Sequence, residues 1–98
     1  MASVTASYIN DPVIQGAFRI TVTGSGFDIS LGAPAMVWTE PDGTVLNYRV
    51  GVFASGELDG NYLVVTQTGT YKVRVFQPAE SKGRKAPKID ASSTVVIS

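Results

Sequence analysis

The stretch QTGTYKV, residues 67–73, decides how this chain folds. Tyr71 and Val73 fall on one parity, while Thr70 and Lys72 fall on the other. That alternation is the signature of a strand with one face in a core and one in water. Gly69 stands just before the tyrosine, where a turn needs a residue with no Cβ. The pattern then runs on through TYKVRVF, residues 70–76, with Tyr71, Val73 and Val75 set against Lys72 and Arg74.

Period two holds on both sides of this stretch. FRITVTGSG, residues 18–26, alternates Phe18, Ile20 and Val22 with Arg19, Thr21 and Thr23, and closes on Gly24 and Gly26. AMVWT, residues 35–39, is a short strand holding the sole tryptophan, Trp38. EPDGT, residues 40–44, places Pro41, Asp42 and Gly43 in turn order. VLNYRVGVF, residues 45–53, reads as a strand with Leu46, Tyr48 and Val50 on one parity. SGELDGN, residues 55–61, is a turn cluster, and YLVVT, residues 62–66, a further strand. IDASSTVVIS, residues 89–98, sets Ile89, Ala91, Val95 and Ile97 on one parity, and SVTASYI, residues 3–9, opens the chain as a strand. No segment carries a 3.6 period, and Pro or Gly interrupts every window long enough for a substantial helix. About seven short strands separated by turn signals predict an all-β antiparallel sandwich, built as a single domain over residues 1–98.

The trio Gly69, Tyr71 and Val73 resembles the tyrosine corner of immunoglobulin-like domains. The resemblance implies that the Tyr71 hydroxyl bonds back to the corner before it. It implies that Val73 stands where that family has a cysteine, with Ile20 or Val22 facing it. Trp38 resembles the tryptophan that packs between the two sheets of such domains. GAFRITVTGSGF, residues 16–27, is similar to a strand opening of the IPT/TIG subgroup. The expected core is Trp38, Tyr71, Val73, Phe18, Ile20 and Val22. With no cysteine for a disulfide, burial must stabilise it, at ~25 cal/mol per Å² of apolar area.

Composition excludes several function classes. The formal net charge is zero, so the molecule as a whole is not built to coat nucleic acid or an anionic membrane. There is neither cysteine nor histidine, which removes thiolate chemistry and the commonest acid/base side chain and metal ligand. Glu40, Asp42, Glu57 and Asp59 lie in turns, and no nucleophile–base spacing stands out, so the expectation is a non-enzyme with no cofactor. Glu57, Asp59 and Asn61 loosely echo a calcium loop, but the later bidentate acid is missing, and no metal is expected. MASVTASYINDP, residues 1–12, has no basic n-region and no apolar h-region, and no apolar run approaches the ~20 residues that span a bilayer. A soluble chain with no membrane insertion is expected.

AESKGRKAPKID, residues 79–90, concentrates four of the eight basic residues: Lys82, Arg84, Lys85 and Lys88. Hairpin loops usually take about 2–5 residues, so this connection is long for its task. One reading is a contact with an acidic partner surface. The other is a solvated tip whose lysines discourage edge aggregation. Nucleic acid is an unlikely partner, because Phe76 is the lone neighbouring ring. GSGFDISLGAP, residues 24–34, and SGELDGN are expected at the opposite end of the sandwich from this connection.

The function expected is that of a structural or interaction domain. The chain resembles the immunoglobulin-like accessory proteins of bacteriophage particles, which implies docking on a protein surface such as a capsid or tail, and a place in the virion. The alternative is a spacer or adhesin module of a bacterial surface or secreted protein. Carbohydrate binding is a third class; it would need exposed rings from the pool Tyr8, Phe27, Tyr48, Phe53, Tyr62 and Phe76, most of which are expected in core or edge packing.

Overall fold

A computed structural model describes residues 2–77 and 89–98. Among these residues the strands are β1 (Ser3–Asn10), β2 (Phe18–Ser25), β3 (Ala35–Thr39), β4 (Val45–Arg49), β5 (Asn61–Val65), β6 (Gly69–Gln77) and β7 (Ile89–Ile97). A three-residue 3-10 turn, Ile29–Leu31, lies between β2 and β3. The strands form a sheet of order β1-β2-β5 and a sheet of order β4-β3-β6-β7, with every pair antiparallel. The fold is therefore the all-β sandwich that the alternation predicts.

The inward parity supplies the core. Ile20 and Val22 come from β2, Met36 and Trp38 from β3, Tyr71, Val73 and Val75 from β6, and Val95 and Ile97 from β7. Trp38 stands between Leu46 and Val73 in register, at the middle of its sheet's inner face. Its indole Nε1 is buried without a hydrogen-bond partner, an uncommon arrangement that burial of the ring must offset. Phe18 departs from expectation. It is half-buried at the rim, because β2 begins there opposite the last residue of β1, Asn10. Its ring meets Tyr8 edge to face, with centroids 5.9 Å apart.

The corner at Gly69 has a physical cause on each side. Tyr71 Oη donates to the Gln67 carbonyl at 2.8 Å. Burial, helped by the charges of Glu40 and Asp42, raises the phenol above its ordinary pKa, so it stays a donor. Gly69 has φ 126°, and a Cβ there would lie 2.8 Å from Pro41 Cβ. The corner thus packs directly on the turn between β3 and β4, and only glycine fits.

VLNYRVGVF does not run as one strand. β4 stops at Arg49, and the buried Val50 donates its N–H to the Pro34 carbonyl at 3.1 Å. The chain then crosses to the other sheet. Gly51 and Phe53 exchange backbone bonds with Asp59 and Glu57, each 2.9 Å long, around a bridge between Val52 and Leu58. SGELDGN therefore holds a core residue: Leu58 is buried and donates to the Gly24 carbonyl at 3.0 Å.

Candidate functional site

The site is the end of the sandwich where β2, β4 and β6 finish. Gln77 anchors it. It is the last residue of β6, on the inward parity, and fully buried. An amide placed there must find partners. Gln77 Oε1 accepts from Asp28 N at 3.0 Å, and its Nε2 donates to the carbonyls of Asp28 at 2.9 Å and Gly32 at 2.6 Å. One side chain thus holds both ends of the 28–32 segment. Asp28 adds a local cap, its Oδ1 accepting from Ser30 N at 2.9 Å and Ser30 Oγ at 2.6 Å. The result is a fixed turn that presents Ile29, 56% exposed.

The connection between β4 and β5 is built against this turn. Phe27 N donates to Gly56 O at 3.0 Å, and Gly56 N to Phe53 O at 2.8 Å. Gly56 has φ 90°, and a Cβ there would stand 2.7 Å from Phe27 O. That contact requires glycine and fixes Phe53, a residue 51% exposed. This end therefore shows two apolar side chains on hydrogen-bonded backbone. Asp28, Glu57 and Asp59 belong to the same two connections and are exposed.

Lys82, Arg84, Lys85 and Lys88 lie outside the described residues. Gln77 and Ile89 are register partners, so the chain leaves β6 and re-enters β7 at this same end. That corrects the expected placement of GSGFDISLGAP and SGELDGN at the opposite end. The connections after β2, β4 and β6 share one end because successive strands alternate in direction.

Arg74 and Asp90 flank the end on the outer face of the four-stranded sheet. Arg74 Nε and Nη2 bind the Asp90 carboxylate at 2.9 and 2.8 Å. The arginine holds that carboxyl below the ordinary value. Arg74 also covers the Phe76 ring at 4.3 Å from its centroid. Phe76 is buried, so the ring beside the basic stretch offers no face for a base to stack on. Phe27 and Trp38 are likewise buried, whereas Tyr48, Phe53 and Tyr62 are exposed. No group of three or more acidic side chains placed to hold a metal occurs among the described residues. No helix among them is long and apolar enough to cross a membrane.

A second buried polar group stands at the other end. The Asp11 side chain is 1% exposed. Its Oδ1 accepts from the N–H groups of Val13 and Ile14, both at 2.8 Å, and its Oδ2 lies 3.5 Å from Arg19 Nε. The bonds from Ile14 and Val13, with the Arg19 charge, bring its carboxyl below the ordinary range despite burial.

Neither Gln77 nor Asp11 stands out in the sequence as a site residue, yet both left a trace. Gln77 continues the inward parity of Tyr71, Val73 and Val75 with a polar group. Asp11 precedes Pro12, a pairing that starts turns. Compared with family models, curated proteins and solved structures, the chain matches none.

Proposed function

We propose that this chain is a non-enzymatic interaction domain that docks on a protein surface through the end built around Gln77. The observation that carries the reading is the fixed display of Ile29 and Phe53. Two neighbouring connections hold exposed apolar side chains on backbone already hydrogen-bonded, so little ordering entropy remains to be lost on binding. The sequence between β6 and β7 adds Lys82, Arg84, Lys85 and Lys88, whose charge would favour a partner that carries carboxylates. The Tyr71 corner and the arrangement of three strands against four support an immunoglobulin-like reading.

In its finer form the partner is a repetitive assembly, a bacteriophage capsid or tail, and the domain is a virion accessory protein. That form rests on the resemblance in sequence. The alternative of a bacterial surface or secreted module, carbohydrate-binding or a spacer, draws on the exposed rings of Tyr48, Phe53 and Tyr62.

The test is co-sedimentation with the assembled particle encoded beside the gene. Binding is expected, with loss in the double variant Ile29→Ser, Phe53→Ser. Changing Lys82, Arg84, Lys85 and Lys88 together to Ser should weaken it and flatten its salt dependence. No co-sedimentation, together with hits on a glycan array, favours the alternative.

A further inference from the structure

A sandwich of two open sheets has four edge strands, and each presents unpaired backbone groups unless something covers it. Here the edges are β1 and β5 of one sheet, and β4 and β7 of the other. β1 and β7 lie against each other, with Ala6 N donating to Ser93 Oγ at 3.3 Å. β4 is five residues long and carries Arg49, and a short strand with a charge is the usual guard against edge pairing. β5 is equally short but carries no charge of its own. No strand lies beyond it among the described residues. Residues 60–71, GNYLVVTQTGTY, contain no charge and no proline. Aromatic and β-branched residues without charge or proline are the composition that pairs strand to strand most readily.

The neighbouring chain limits where a new strand fits. Gly51–Phe53 occupies the edge position beside Glu57–Asp59. The open part of this edge therefore starts past Asp59 and runs along residues 62–66. Tyr62 and Val64 point to the outer face, 59% and 37% exposed. Leu63 and Val65 point inward as part of the core margin.

We propose that this edge pairs with its own copy. Two molecules add β5 to β5 antiparallel, about a two-fold axis at Val64, and make one continuous sheet of β1-β2-β5 and its mate. In that register Val64 stands opposite Val64 of the second copy, Leu63 opposite Val65, and Tyr62 opposite Thr66. Each is an apolar, β-branched or aromatic–threonine pair of the kind that stabilises antiparallel ladders. The strand itself carries no charge, so no like-charged pair stands directly opposite across the axis. Arg19 supports the contact from behind, its guanidinium 4.4 Å from the Tyr62 ring centroid. A ladder this short falls below the ~1,000 Å² of a stable interface, so the pairing is weak and depends on concentration.

The chain has no cysteine, so a single introduced thiol reports the register without interference. Residues directly opposite in an antiparallel ladder have Cα atoms about 4.5–5.5 Å apart, within disulfide reach. Val64→Cys should therefore form a cross-linked dimer under mild oxidation. Thr66→Cys should not, because the two thiols would be offset by four residues, about 13 Å. Val96→Cys, on β7, is a second negative control.

Sedimentation equilibrium of the parent at rising concentration should show a monomer–dimer equilibrium, and Val64→Lys should remain monomeric with its thermal transition retained. Val96→Lys should dimerise like the parent. A parent that stays monomeric at millimolar concentration overturns the proposal. So does a dimer that survives Val64→Lys, or cross-linking of Thr66→Cys as fast as Val64→Cys.

Discussion

Replacing Gln77 tests whether one side chain sets the proposed docking end. Gln77→Met keeps the unbranched shape and removes the three hydrogen bonds to Asp28 N, Asp28 O and Gly32 O. Each such bond contributes about 1 kcal/mol net, and a buried group left without a partner costs about 1–3 kcal/mol. The 28–32 segment is only partly buried, so water re-satisfies some of these groups, and the loss should total ~2–4 kcal/mol. For a domain of this size about 1 kcal/mol moves Tm by about 5 °C, so Tm should fall by ~10–20 °C.

Gln77→Glu sharpens the test. Its first oxygen still accepts from Asp28 N, but the second faces two carbonyl oxygens where the amide donated. Burial and those carbonyls raise the pKa of the new carboxyl in the folded state. A raised carboxyl pKa means the folded state holds the proton more tightly, so stability falls as pH rises above the unfolded value of about 4.3. Gln77→Glu should therefore be less stable than Gln77→Met at pH 7 and recover relative to the parent towards pH 4. Thermal melts across that range, each read as a difference from the parent, give the answer. Equal and pH-independent losses in the two variants would refute the keystone role of the amide.

Three further outcomes follow from the same geometry. Tyr71→Phe removes the bond to Gln67 O and should cost ~0.5–1.5 kcal/mol in chemical denaturation, with the fold retained. Gly69→Ala should cost more, ~1–3 kcal/mol, since it combines a left-handed φ with contact against Pro41, and a neutral result would contradict the packing of that corner. Asp11, Asp42 and Asp90 all have lowered carboxyl pKa values, so the stability they contribute is present above the unfolded value of 3.8 and is lost as pH falls below it. Asp11→Asn retains an acceptor for Val13 and Ile14, and its acid melts should show a shallower loss below about pH 4 than the parent.

Period-two alternation made the strands legible, because strands such as β2, β3 and β6 have a wet face and a dry one. The corner was legible as well, since glycine two residues before tyrosine encodes a turn followed by an inward ring. Alternation does not report where a strand leaves its sheet. Val50 keeps the inward parity of Leu46 and bonds Pro34, the next partner in the β3–β4 register, yet the ladder ends there because Pro34 has no N–H to return the bond, and the chain crosses sheets. It does not report depth along a strand either, which is why Phe18 sits at the rim while Ile20 is wholly buried. The grouping of three connections at one end was available from counting, since they follow the second, fourth and sixth strands. Gln77 was hidden for a different reason: a single polar residue at the end of an apolar parity looks like the strand's exit into water. Only the fold shows that the 28–32 segment comes back over it.

The two proposed contacts constrain each other geometrically. Docking uses an end of the sandwich, and self-pairing uses a side. An antiparallel β5–β5 pair reverses strand direction across its two-fold axis, so the docking ends of the two copies point in opposite directions. Copies docked side by side on one flat surface all point the same way, and their β5 edges cannot pair within that layer. Paired copies instead offer one end to each of two facing surfaces. The free edge and the docking end are therefore not redundant: a copy docked on one surface can still pair with a copy that points away from it, and the pair then bridges two facing surfaces.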